Sequence, residues 1–189
     1  MNFNEHSNLK GSHSFLSASN YHWINDDDEK FKQRYKNFKA IKQGVEDHEF
    51  AAMCVQRRQK LPKSNRTLNL YVNDAVGYRM TPEVVLKYSD VAFATCDAIC
   101  YDEKQKILRI HDLKTGVSPT SMHQLEIYAA YFCLEYEIKP IDIFIELRIY
   151  QSSEVTVYNP EAEVIQSLMN LIVKRSKQIV KMEMELEVV

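Results

Sequence analysis

The sequence predicts an α/β protein with a mixed central β-sheet flanked by helices. Three observations carry this. Near the C-terminus, Val164, Leu168, Leu171, Ile172, Ile179 and Val180 recur at helical spacing. From Tyr71 to Asp112, β-branched and aromatic residues become frequent, as strands require. The two kinds of segment interleave: helices, about three strands, a helix, two strands and a final helix, an order that builds a single layered domain.

The elements follow in chain order. Residues 1–13 are polar and expected to be loose, leaving 14–189 as the domain. Ser17 or Ser19 is placed to cap a short turn carrying Tyr21 and Trp23. Asp26, Asp27 and Asp28 suit the positive end of a helix running to about Lys42. A second helix is expected from Val45 to Lys60, stopped by Leu61-Pro62. YSDVAFATCDAICYD and KILRIHDLK read as two strands joined by the polar turn DEKQK. TGVSPTS is a loop, Ser121 caps the helix SMHQLEIYAAYFCLEYE, and Lys139-Pro140 ends it. IDIFIELRIYQ and SEVTVYN form a hairpin around Ser152-Ser153, and Asn159-Pro160 opens a helix over 161–185.

Composition narrows the function classes. The 189 residues are 45% hydrophobic and 26% charged, ordinary for a globular chain. Four glycines and five prolines exclude a collagen-like or low-complexity chain. A net charge of −2 excludes a uniformly basic protein that coats nucleic acid, though not a local basic patch. MNFNEHSNLKGSHSF lacks the apolar core of a signal peptide, and no window nears about 18 apolar residues, so a cytoplasmic protein without a membrane segment is expected. Cys54, Cys96, Cys100 and Cys133 contain no CxxC pair and read as reduced, mostly buried thiols, Cys96 and Cys100 sharing one strand face.

The chemistry concentrates in CDAICYDEKQKILRIHDLKTG. A turn centred between Lys104 and Gln105 puts Asp97 opposite Asp112, in a layer with Ile99, Tyr101, Leu108 and Ile110. Like charges so placed repel. Lys114 follows on the same face by the strand's period of two. A divalent cation that prefers oxygen ligands, such as Mg²⁺ or Mn²⁺, would reconcile the two carboxylates. By spacing alone, a solvated strand end fits as well.

Asp97 followed by Asp112-Leu113-Lys114 resembles the PD-(D/E)XK nuclease pattern, and the continuation Thr115-Gly116 resembles its RecB-like branch of phage, prophage and CRISPR-associated exonucleases. Gln124 and Tyr128 look like that branch's QxxxY element, Gly44 and His48 like its GxxxH element, and LSASNYHWIN like the SxS-containing helix start of phage members. The elements span about residues 16–150 in the family order. The resemblance implies a restriction-endonuclease-like core and a metal-dependent DNA exonuclease. It implies that His48, Asp97, Asp112 and the backbone carbonyl of Leu113 hold Mg²⁺ or Mn²⁺, that Lys114 activates a water, and that Gln124 and Tyr128 hold the DNA backbone or the site geometry. A homo-oligomer and a recombinase or single-strand-binding partner also follow from it. Ala52 stands where some members carry a glutamate, and Asp112 where glutamate is commoner. No cysteine cluster follows the last strands, so no iron–sulfur cluster is expected, and no helicase motif is present.

Charge distribution supports a nucleic-acid partner. From Glu29 to Arg66, eleven Lys or Arg face four Asp or Glu, a local balance of +7. Arg57, Arg58 and Lys60, with Ser19, Tyr21, Gln124 and Tyr128, are the candidate DNA contacts, expected to be phosphate-directed and sequence-independent. A solvated helix surface explains the same lysines. An endonuclease on the same fold and a non-catalytic binding module stand as the alternative functions.

Overall fold

The computed structural model describes residues 14–186, so the segment expected to be loose lies outside the described residues. The chain divides into two compact units, Met1–Val45 and Glu46–Val189.

In the first unit, a 3-10 helix covers Ala18–Asn25. Ser17 stands at its N-cap without a capping side-chain bond, its hydroxyl instead lying 3.3 Å from that of Ser19. Asp27 Oδ1 then accepts the Lys30 N–H at 2.8 Å, satisfying one of the free donors at the start of α1, Asp28–Gln56. Phe15 packs its ring on Phe31, Tyr35 and Phe38, at centroid distances of 5.4, 5.1 and 5.3 Å. Those three lie on one face of α1 by their i, i+4, i+7 spacing.

α1 corrects the expectation of two helices, since it runs through Gly44 for 29 residues without a break. A mid-helix glycine costs about 1 kcal/mol against alanine. Burial of Ala51, Cys54 and Val55 downstream offsets more than that.

In the second unit, α2, Thr67–Gly77, is a helix where the sequence suggested the approach to a strand region. Tyr71, Val72 and Val76 have strand-like chemistry, but Tyr71, Val72 and Ala75 bury one helical face. Packing here overrides local propensity. β1, Thr81–Ser89, and β2, Ala92–Asp102, divide what read as one strand from Tyr88, because the chain turns at Asp90-Val91. β3 is Ile107–Leu113. The turn before it is set by Asp102 Oδ1, which accepts the N–H groups of Lys104 and Gln105 at 3.0 Å each. α3 is His123–Glu135, starting after Met122 rather than from a Ser121 cap. β4, Phe144–Gln151, and β5, Glu154–Tyr158, meet at Ser152-Ser153, both left-handed, with φ 51° and 66°. That is the twist a two-residue hairpin needs. α4 is Ala162–Leu186.

The five strands form one sheet in the order β1-β2-β3-β4-β5. β3 and β4 are parallel and the other pairs antiparallel, so the sheet is mixed, and α3 makes the crossover between the parallel pair. One face carries Leu108, Ile110, Leu147 and Ile149 against Leu125, Ala129 and Cys133 of α3 and Ile165 of α4. The other buries Leu113 and Tyr150 with Ala51 and Val55 of α1 and Tyr71 and Val72 of α2. The protein is therefore α/β, with helices on both faces of a central sheet.

β2 reverses its faces midway. Cys96 packs on the α3 side with Leu86, but so does Ile99, while Ala98 and Cys100 pack on the α2 side. Strict alternation forbids that combination. The irregularity lies at Asp97: the β1–β2 pairing passes from Pro82↔Ala98 to Val84↔Cys96 without the rung between, and Glu83 in that gap holds φ 53°. Cys96 and Cys100 thus lie on opposite faces, contrary to the reading from spacing.

Candidate active site

The predicted hairpin register is the observed one. Ala98↔His111, Ile99↔Ile110 and Tyr101↔Leu108 are partners; the pairing ends there, and Asp97 and Asp112 are the next residue of each strand. Asp112 shares the α3-side face with Leu108 and Ile110, and its side chain is 2% exposed. The solvated strand end is excluded for this residue.

Asp97 is held from two directions. Its Oδ2 accepts the backbone N–H of Leu113 at 2.8 Å and lies 3.5 Å from His48 Nδ1. His48 reaches it because it sits on the part of α1 whose Ala51 and Val55 pack into the α2-side core. Leu113 is anchored by its own buried side chain in that core.

Asp112 is held by Lys114, whose Nζ lies 3.0 Å from Oδ1 and 2.9 Å from Oδ2. Only Oδ1 is aligned for a hydrogen bond, and the buried Oδ2 has no aligned partner. The Lys114 backbone N–H donates to Tyr150 O at 2.9 Å, fixing where the chain leaves β3. Nζ also donates to Gln124 Oε1 at 2.8 Å, and Gln124 Nε2 donates to Tyr128 OH at 2.7 Å. Gln124 and Tyr128 occupy one face of α3 by their i, i+4 spacing. The result is an unbroken chain Asp112–Lys114–Gln124–Tyr128.

Electrostatics follow from this packing. Burial, and next the charge of Asp97, push the Asp112 carboxyl from 3.8 up to about 6, with Lys114 and His48 opposing. Burial also raises the Tyr128 phenol, keeping it a neutral hydroxyl. On β1, burial and Asp97 raise Glu83, opposed by His48. Sequence reasoning did not single out Glu83 as a neighbour of Asp97. It lies in β1, ahead of the first strand read from the sequence at Tyr88, and its neighbours Pro82 and Val84 pair with Ala98 and Cys96 on either side of Asp97.

The candidate DNA contacts are not all gathered here. Gln124 and Tyr128 are part of the cluster. Arg57, Arg58 and Lys60 are exposed beyond the end of α1, whose last residue, Gln56, is roughly 12 Å along the axis from His48 at 1.5 Å per residue. Arg58 is partly committed, donating to Met80 O. Ser19 and Tyr21 are exposed on the 3-10 helix of the first unit. A cavity of about 240 Å³ beside Lys114 is lined by Thr67, Leu68, Leu113, Gly116 and Ser152.

Among the described residues, no three His, Cys, Asp or Glu side chains form a ready-made metal-binding group. The donor chemistry of His48, Asp97 and Asp112 nonetheless suits an oxygen-preferring divalent cation, and the unaligned, buried Oδ2 of Asp112 is the kind of atom such a cation satisfies. Lys114 and the cation would compete for that carboxylate. The four cysteines are free, and burial pushes Cys96 and Cys133 up to about 12, so both are thiols rather than ligating thiolates at neutral pH.

Compared with known proteins, the chain matches no family model, no curated protein and no solved structure. No helix among the described residues is long and apolar enough to cross a membrane.

Proposed function

We propose that this chain is a divalent-metal-dependent deoxyribonuclease with a restriction-endonuclease-like, RecB-branch PD-(D/E)XK core, degrading linear DNA from its ends. One observation carries the proposal. Asp112, buried and next to a second carboxylate, is bridged by Lys114 to Gln124 and Tyr128. An ion pair kept only for stability gains little from such burial. Groups that act on a phosphodiester need it.

The residues divide the work. His48, Asp97, Asp112 and the backbone carbonyl of Leu113 would hold Mg²⁺ or Mn²⁺. When bound, such a cation lowers the pKa of a water and offsets negative charge developing on phosphate oxygens. The Lys114 ammonium orients the attacking water and adds positive charge beside the scissile phosphate. Gln124 fixes Nζ through its carbonyl oxygen, and Tyr128 fixes the amide of Gln124. Arg57, Arg58 and Lys60 supply sequence-independent phosphate contacts farther along the DNA.

The test compares end-labelled linear DNA with covalently closed circular DNA, in Mg²⁺, Mn²⁺ or EDTA, beside Asp112→Asn. Metal-dependent loss of the linear form alone, absent in the variant, is the expected result. Cleavage of the circle replaces the exonuclease with an endonuclease. DNA binding with no cleavage of either form leaves the binding module.

A further inference from the structure

We propose that the cavity beside Lys114 is a subsite for one unpaired nucleoside of the DNA strand being cut, so that single-stranded or frayed ends are the preferred substrate. This rests on the nuclease reading of Lys114 and specifies its substrate.

The cavity lies where three segments meet: the chain leaving β3, the start of α2 and the β4–β5 hairpin. Hydrogen bonds tie these segments together. Gln151 Nε2 donates to Gly116 O at 2.7 Å and to Ser118 O at 2.9 Å, and its Oε1 accepts the Thr120 hydroxyl at 3.3 Å. One side chain thus pins the loop between Lys114 and Gln124 to the end of β4. The Ser153 N–H donates to Thr67 Oγ1 at 2.8 Å, joining the hairpin to α2. Walls held in this way exist before a ligand arrives, so little ordering has to accompany binding.

The lining gives the chemistry of the ligand. Leu68, Leu113 and Val117 supply apolar surface, and Thr67, Thr115 and Ser152 supply hydroxyls. Val117 is 90% exposed, so a flat apolar group entering here covers a side chain that otherwise faces water. Lys114 adds a positive charge and Asp47 a negative one. The described lining therefore carries no cationic excess of the kind that binds a further phosphate. Apolar walls with a few hydrogen-bonding groups fit a nucleobase and its sugar. With the scissile phosphate beside Lys114, the adjoining nucleoside falls here.

Size selects the unpaired state. At about 240 Å³ the cavity is smaller than the roughly 300–1,000 Å³ of drug-sized sites, with room for a single nucleoside and not for a base pair. A duplex base must leave its stack and its partner to enter, a cost that is least for a base already single-stranded.

The experiment fills the cavity. Gly116 lines it, and a Cβ there meets nothing within 4 Å, so Gly116→Leu adds bulk without displacing a neighbour at that atom. Wild type and Gly116→Leu are compared in Mg²⁺ on end-labelled single-stranded DNA, blunt duplex and duplex with mismatched terminal pairs, and both are melted. Wild type should cut the single strand and the frayed duplex about tenfold or more faster, in kcat/KM, than the blunt duplex. Gly116→Leu should raise KM on the single strand by a similar factor, with kcat and melting temperature near wild type. Should Gly116→Leu melt lower, Leu68→Phe replaces it and narrows the cavity from α2. Equal wild-type rates on single strand and blunt duplex, or an unchanged KM in a folded cavity-filled variant, overturn this inference and leave the nuclease reading standing. A wild-type chain that cuts none of the three substrates overturns both.

Discussion

Asp112→Asn separates what the site costs the fold from what it does. The folded state raises the Asp112 carboxyl from 3.8 to about 6, with burial the larger cause and Asp97 the second. Each pKa unit corresponds to about 1.4 kcal/mol, so ionised Asp112 costs the metal-free protein about 3 kcal/mol. The side chain is 2% exposed, so little of this is screened by solvent. The sign follows from linkage: the native state holds this proton more tightly than the unfolded chain. Stability contributed by the protonated group is therefore present below pH 3.8 and lost as pH rises through about 6. Asparagine removes the charge but leaves Lys114 without its carboxylate. Lys114 is 29% exposed and can turn to water, which returns only part of the gain. The shift to about 6 already includes the opposing pull of Lys114, so the variant at pH 7.5 should be more stable than wild type, by up to about 2 kcal/mol.

The assay is urea unfolding at half-unit pH steps from 4.5 to about 7.5 in EDTA. The stability advantage of the variant should shrink steadily towards the acid end. Saturating Mn²⁺ should reverse the ranking, because a ligand at one hundred times its dissociation constant adds about 2.7 kcal/mol to the form that binds it. A variant less stable than wild type at pH 7.5 without metal would refute the reasoning. Asp112 and Lys114 would then be a structural ion pair.

Two further outcomes are expected. Gln124→Ala frees the Lys114 ammonium from its carbonyl anchor and leaves Tyr128 without its amide. Turnover should fall roughly ten- to a hundredfold, the scale of lost positioning, while urea stability changes by less than about 0.5 kcal/mol. Equal turnover would remove Gln124 from the machinery. Replacing Ser152-Ser153 with Asn-Gly puts residues suited to left-handed backbone at φ 51° and 66°. It should raise the melting temperature by roughly 2–4 °C, about 1 kcal/mol for a chain of this size, and a drop would show that Ser152 or Ser153 has a side-chain role there.

Local signals account for much of the fold and most of the site. The hairpin register was readable because DEKQK is polar between two apolar runs, and Asp102 does close that turn. Once its centre is known, the register from Ala98↔His111 to Asp102↔Ile107 follows, with Asp97 and Asp112 next in their strands. The i, i+4 spacing of Gln124 and Tyr128 put them on one helix face, and the Ser152-Ser153 hairpin and the final helix were equally plain. α2 was not, because Tyr71, Val72 and Val76 are chemically strand-like and become helical only through the core they share with α1 and β4. The continuity of α1 through Gly44 was hidden for a similar reason, since a glycine is a local cost whose compensation is remote.

What the sequence determined by itself, then, was everything set by near neighbours: an α/β layering, the β2–β3 pairing and the candidate residues Asp97, Asp112, Lys114, Gln124 and Tyr128. Tertiary structure decided which of these meet and how they are charged. It brought His48 to within 3.5 Å of Asp97, across 49 positions of chain, and buried Asp112 deeply enough to raise its carboxyl to about 6. It left Arg57, Arg58 and Lys60 beyond the cluster. It also broke the ladder at Glu83, a residue without local distinction that strand pairing sets beside Asp97. The division has one physical cause. Turn chemistry and residue periodicity act over a few positions, whereas desolvation and charge–charge coupling depend on groups that only the folded chain brings together.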